Sequence, residues 1–271
     1  QGATVHIRWV DAEQLTPDNV SGTLAGAGGI LVPGGFGGRG VAGMVLAAQY
    51  AREHAVPYFG ICLGMQVAVI EAARHLCGLS DACSREFSPA GANCVIDLMA
   101  DQRGDMPKGG TMRLGAYPCA LREGTLLRRV YGMPLVHERH RHRYEVNTAY
   151  RQSLEQAGVV FSGTSPDERL MEAMENPSHP FFVGVQYHPE FKSRPDRPHP
   201  LFQAFIAAAI AHGGDTAVPR SDALDTIEHS SQAGRPPAFP IPPSRFLLGC
   251  GVCQYHSRAA GPCSRQTVGH R

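Results

Sequence analysis

Short apolar runs bounded by glycine or proline recur along most of the chain, at 5–10, 29–32, 56–61 and 181–187. Runs that are apolar on both sides suit strands buried within a mainly parallel sheet. Between them, 41–54 repeats apolar residues at Met44, Val45, Ala48 and Ala51, 65–76 continues directly from the third run, and 201–211 is alanine-rich with no breaker. Those spacings predict helices. Strand alternating with helix predicts an α/β layered fold, a mainly parallel sheet flanked by helices. Residues 79–147 read as less regular, with Gly, Pro and charge clustered over 101–110; a long irregular insertion more often carries function than not. After His212 the periodicity stops and Pro236, Pro237, Pro240, Pro242 and Pro243 accumulate. The expected organisation is therefore a globular unit over 1–213 and a disordered tail over 214–271. Because the first strand-like run begins almost at once, the unit reads as N-terminally truncated, the C-terminal part of something longer.

Composition narrows the classes. The chain has 271 residues, 43% of them apolar, which is ample for a buried core. With 25 basic and 24 acidic residues the formal charge is +1, so no field of one sign points to nucleic acid or an anionic membrane. No apolar stretch approaches the roughly 20 residues needed to span a bilayer, and a cytoplasmic location is expected. Eight cysteines at irregular spacing are not a disulfide framework. Cys250 and Cys253, with His256 and Cys263 nearby, hint at zinc, but a structural site usually shows two such cysteine pairs.

One cysteine stands apart. Gly60-Ile61-Cys62-Leu63-Gly64 places it where a buried strand meets a helix, the form of a nucleophile elbow in which glycines leave room for a strained turn. The helix N-terminus beyond it would stabilise a thiolate and supply N–H donors. A buried cysteine at an ordinary strand-to-helix turn satisfies the same pattern. The run 181–187 ends in His188-Pro189-Glu190, and residues two apart in extended chain point to one side. Glu190 is thus placed to hold the His188 imidazole as a base for Cys62, a Cys-His-Glu triad candidate. Leu31-Val32-Pro33-Gly34-Gly35-Phe36-Gly37 lacks the Lys-Ser/Thr of a phosphate-binding loop. Its better reading is an exposed N–H at Gly35 that, with the N–H of Leu63, makes an oxyanion hole.

Pro33-Gly34-Gly35-Phe36-Gly37, Gly60-Ile61-Cys62-Leu63-Gly64-Met65-Gln66 and His188-Pro189-Glu190-Phe191 together resemble the class I (triad) glutamine amidotransferase domain. More narrowly, Gly109-Gly110-Thr111-Met112-Arg113-Leu114-Gly115 and the run from Glu138 through Arg143 to Asn147 resemble the glutaminase half of the CTP synthase family. That resemblance implies L-glutamine as substrate, with Arg143 taking its carboxylate, Glu86 its ammonium group, and Gly35, Leu63 and Gln66 lining the pocket. Without it, Arg143 reads as part of a solvated basic loop and Glu86 as a surface acid. His137, His140 and His142 have the residue type of a metal site, but the alternating arginines repel a cation, and no metal site is expected.

The resemblance further implies no cofactor in this domain, a separate N-terminal synthetase domain that uses ATP and Mg²⁺ to aminate UTP, GTP as an allosteric activator, and a homotetrameric full-length enzyme. Phe36 and the 111–114 segment, Arg113 above all, are the implied effector-sensing elements. Two other classes stay open at this level: a hydrolase of γ-glutamyl peptides using the same Cys and His, and a non-catalytic regulatory or filament-forming module.

Overall fold

The computed structural model describes residues 3–98, 112–214 and 244–249. Along the chain these form β1 (Val5–Val10), α1 (Val20–Leu24), β2 (Gly29–Val32), α2 (Val41–Glu53), β3 (Tyr58–Ile61), α3 (Leu63–His75), β4 (Cys83–Ser84), β5 (Cys94–Leu98), β6 (Arg113–Leu121), α4 (Leu126–Tyr131), β7 (Leu135–His142), β8 (Tyr144–Val146), α5 (Arg151–Gln156), β9 (Val160–Thr164), β10 (Met171–Glu175), β11 (Phe182–Val185), α6 (Pro200–Gly214) and β12 (Ser244–Gly249). Nine of these strands make one mixed sheet in the order β1-β12-β2-β3-β11-β10-β9-β6-β7. The pairs from β1 to β11 are parallel and those from β11 to β7 antiparallel. A second sheet, β4-β5-β8, stands beside it.

The apolar runs become the parallel half as the pattern predicts. Alternate residues of one strand feed opposite cores: Tyr58 joins Met44, Val45, Met65 and Val69 of α2 and α3, while Phe59 and Ile61 join Leu201 and Phe205 of α6 and Leu127 of α4. The sheet is thus covered on both faces, as central parallel strands require. β1 departs from the prediction: Val5, Ile7 and Trp9 are exposed, because an edge strand has a neighbour on one side only.

Two further expectations are corrected. Residues 112–147 are not irregular; they supply β6 and β7, the antiparallel extension of the main sheet, and β8. Leu135–His142 alternates exposed and buried positions strictly, with Glu138, His140 and His142 inward. The basic stretch is therefore a two-faced strand whose inner face is polar, which a search for apolar alternation passes over. The tail expected over 214–271 contributes β12, inserted in parallel between β1 and β2. Gly109, Gly110, Thr111, Cys250, Cys253, His256 and Cys263 lie outside the described residues.

The turn between β3 and α3 is closely packed against backbone. A Cβ on Gly60 would stand 2.5 Å from the carbonyl carbon and oxygen of Gly64, and one on Gly64 would overlap the Val32 carbonyl oxygen. These obstacles are backbone and cannot swing aside. Gly60→Ala is expected to destabilise the fold by about 2 kcal/mol or more, measured as a lowered midpoint in urea unfolding; an unchanged midpoint would show that the turn has slack.

Candidate active site

β2, β3 and β11 are adjacent and parallel, so their C-terminal ends open on one edge of the sheet, where open α/β folds collect their chemistry. Val32 is the register partner of Gly60, and Ile61 of Val185. Pro33, Cys62 and Gln186 therefore leave the sheet side by side, and His188 follows two residues later.

Cys62 caps α3 with φ 52° and ψ −102°, a conformation that non-glycine residues occupy only when their surroundings impose it. Its N–H donates to the Val185 carbonyl at 2.7 Å. Burial pushes the thiol up to about 12, opposed by the Leu63 N–H and reinforced by the Glu190, Glu145 and Glu86 carboxylates. At neutral pH the resting sulfur is a thiol, and it becomes a nucleophile by handing its proton to a base.

That base is at hand. His188 Nδ1 lies 2.6 Å from Glu190 Oε1, and a carboxylate only accepts, so Nδ1 carries the hydrogen and Nε2 the lone pair. Nε2 is buried with no hydrogen-bond partner among the described residues. The ring stacks on Phe191 at 5.0 Å between centroids, and the His188 N–H donates to the Arg139 carbonyl at 2.7 Å. A Cβ on Gly34 would lie 2.8 Å from His188 Cε1 and 3.4 Å from Cys62 Cβ, so imidazole and thiol close over one glycine. A Cβ on Gly35 would lie 3.1 Å from Leu63 Cδ2, which sets the two expected oxyanion residues against each other.

The remaining expected residues have the following surroundings. Gln66 is buried, its Nε2 donating to the Tyr144 carbonyl at 3.0 Å and to Gln186 Oε1 at 3.2 Å. Glu86 follows β4 and accepts the Gly37 N–H at 2.9 Å, while Arg143 immediately precedes β8, so the small sheet carries both. Burial raises the Tyr144 phenol, Glu86 raises it further and Arg143 opposes it. Phe36 is exposed, with the Arg141 guanidinium 6.0 Å from its ring.

Arg113, the other expected effector element, lies inside the fold. It is buried, lying 2.5 Å from Glu172 and 3.3 Å from Glu145 and over the Tyr117 ring at 4.5 Å. The strand register faces it to His142, which turns its charge inward, where only paired charges are tolerated.

The family model for glutamine amidotransferase class I matches residues 1–208. The chain belongs to that family. It is 60% identical over 207 residues to a CTP synthase of Rubrobacter xylanophilus, covering 76% of this chain and 37% of that protein. A CTP synthase of Carboxydothermus hydrogenoformans is 57% identical over 206 residues, with 76% and 38% covered. Among solved structures, the glutaminase domain of Trypanosoma brucei CTPS with bound acivicin superposes with a TM-score of 0.74 at 44% identity, over 77% of this chain and 82% of that one. The chain spans about two fifths of the length of these curated relatives.

Within this amidotransferase site, residue-by-residue reading missed Gln186, wholly buried with Nε2 3.6 Å from Cys62 Sγ. Its signal was the alternation of the run that ends in His188: Gln186 breaks an apolar strand with a polar side chain. The buried set Arg113, His140, His142, Glu145 and Glu172 was also missed. Burial holds Glu172 up to about 7 against the pull of Arg113, and burial followed by Arg113 pushes His140 down to about 2, so His140 stays neutral near physiological pH. His142 Nε2 lies 2.7 Å from Glu145 Oε1. Among the described residues, no group of three or more His, Cys, Asp or Glu is placed to hold a metal ion.

The raised Cys62 thiol has a direct readout. With its pKa near 12, the thiolate fraction grows about tenfold per pH unit throughout the range below it. Alkylation of Cys62 in the ligand-free protein should therefore rise log-linearly from about pH 7 to pH 10, followed by mass spectrometry of its peptide. A plateau below pH 9 would show a stabilised resting thiolate instead.

Proposed function

We propose that this domain hydrolyses L-glutamine to glutamate and ammonia through Cys62, His188 and Glu190, and that in the whole protein the ammonia serves ATP-dependent amination of UTP to CTP. The observation that carries the reading is the strained Cys62 turn on the strand beside a His188–Glu190 pair held at 2.6 Å. As Sγ attacks the amide carbon, His188 Nε2 takes the thiol proton. The oxyanion develops against the N–H groups of Gly35 and Leu63, and Gln186 offers a further N–H to the sulfur. His188 then returns the proton to the departing nitrogen, ammonia leaves, and a water deprotonated by the same ring releases glutamate from the thioester.

Free glutamine is a zwitterion, so selectivity needs a cation for its carboxylate and an anion for its ammonium group. Arg143 and Glu86 supply them. The glutaminase step needs no cofactor; ATP and Mg²⁺ belong to a synthetase domain that corresponds to the relatives' remaining length. GTP would act from the face of the exposed Phe36, without Arg113. A cytoplasmic homotetramer is the assembly this reading carries; among the described residues no helix is long and apolar enough to cross a membrane.

The test is release of ammonia and glutamate from glutamine, with and without GTP. Cys62→Ala should lower turnover by a factor on the order of 10³ or more; equal release by variant and parent would remove Cys62 from the nucleophile role. Arg143→Ala should raise KM for glutamine by at least about tenfold while leaving turnover of a small amide within a few-fold. Equal losses on both substrates would count against a carboxylate clamp.

A further inference from the structure

Away from the catalytic thiol, Cys83 and Cys94 form a close pair. They are register partners on the adjacent parallel strands β4 and β5, and strands lie about 4.8 Å apart, inside the Cα separation that a disulfide spans. Their sulfurs are 3.4 Å apart, and both are free thiols. The chain folds a glycine over them: a Cβ on Gly91 would overlap the Cys83 sulfur and lie 3.2 Å from that of Cys94. Among the described residues the two thiols have carbonyl oxygens as their further hydrogen-bond partners, Asn93 for Cys83 and Ser88 and Gly91 for Cys94. A metal would need more ligands than this pair provides.

The loop between them bears on the active site. Residues 84–93 begin and end at the pair, and Cys83 N–H donates to the Asn93 carbonyl at 2.9 Å across the base. Within the loop, Glu86 accepts the Gly37 N–H at 2.9 Å, and Phe87 Cβ would lie 2.8 Å from a Cβ on Gly38. The loop thus presses on the glycine-rich turn after β2.

We propose that Cys83 and Cys94 are an oxidisable pair whose disulfide closes the base of this loop and locks the segment carrying Glu86. With a low-molecular-weight disulfide as oxidant, the Cys83 sulfur, the more exposed of the two, gives up its proton and attacks one reagent sulfur, expelling a thiol. The Cys94 sulfur, deprotonated in turn, attacks Cys83 Sγ and expels the second thiol. Two S–H bonds are lost, one S–S bond forms within the protein, and two electrons reduce the reagent to two thiols.

The test treats the whole chain with oxidised glutathione, blocks free thiols, and maps peptides without reduction. Tryptic cleavage after Arg85 separates the two cysteines, so a link between 75–85 and 86–103 reports the bond, and fragmentation distinguishes Cys83 from Cys77. The expected product is the Cys83–Cys94 link, reversed by dithiothreitol, with amide exchange across 85–93 slowed about tenfold. Cys83→Ser and Cys94→Ser should each abolish both changes. Glutathione retained on Cys83 alone, a link through Cys77, or unreacted thiols would overturn the pair, and a link that leaves exchange unchanged would overturn the lock. Neither readout depends on glutaminase activity.

Discussion

The catalytic edge depends on one close backbone approach, the first turn of α3 against the Val32 carbonyl and Gly60. With Cβ atoms absent at Gly60 and Gly64, the helix starts directly under strands β2 and β3. Cys62 is then forced to φ 52° and stands at the head of the helix, with the Leu63 N–H beside its sulfur. The same approach brings the Pro33–Gly34–Gly35 turn alongside, because that turn leaves β2 at the level where Val32 meets Gly60. Nucleophile and expected oxyanion donors are therefore consequences of a single packing constraint.

Electrostatics divides the labour around that point. Burial favours the protonated form of the Cys62 sulfur, so the proposed mechanism leaves its activation to His188. The imidazole can serve because Glu190 fixes its donor nitrogen and leaves Nε2 bare. Arg113 of β6, His142 of β7, Glu145 of β8 and Glu172 of β10 form a buried polar layer linked by the pairs Arg113–Glu145, Arg113–Glu172 and His142–Glu145. Breaking such a layer at one member leaves a buried charge uncompensated, which typically costs several kcal/mol, so it holds the antiparallel half rigidly against the strand that delivers Gln186 and His188.

Much of this was legible in the amino-acid order. The elbow glycines, the His188–Glu190 spacing and the turn after β2 declare themselves because they are local: each lies within a few residues of one strand end. Of the two elements expected to sense an effector, the structure exposes Phe36 and buries Arg113. An arginine in a polar stretch looks solvated until its strand partner and a distant carboxylate, Glu172, are known. The run around 137–143 was misjudged for the same reason, since alternation of two polar classes gives no hydrophobic signal.

The sequence by itself determined the strand and helix pattern of the parallel half, the elbow position of one cysteine among eight, and the spacing of the His188–Glu190 pair expected to serve it, because periodicity and glycine spacing are properties of neighbouring residues. Only the tertiary structure decided that Glu86 accepts the Gly37 N–H, that Gln186 reaches Cys62, that Ser244–Gly249 enters the sheet, and that Cys83 lies against Cys94. Those contacts join residues about 10 to more than 200 positions apart; strand register creates them, and register is settled by packing across the whole sheet.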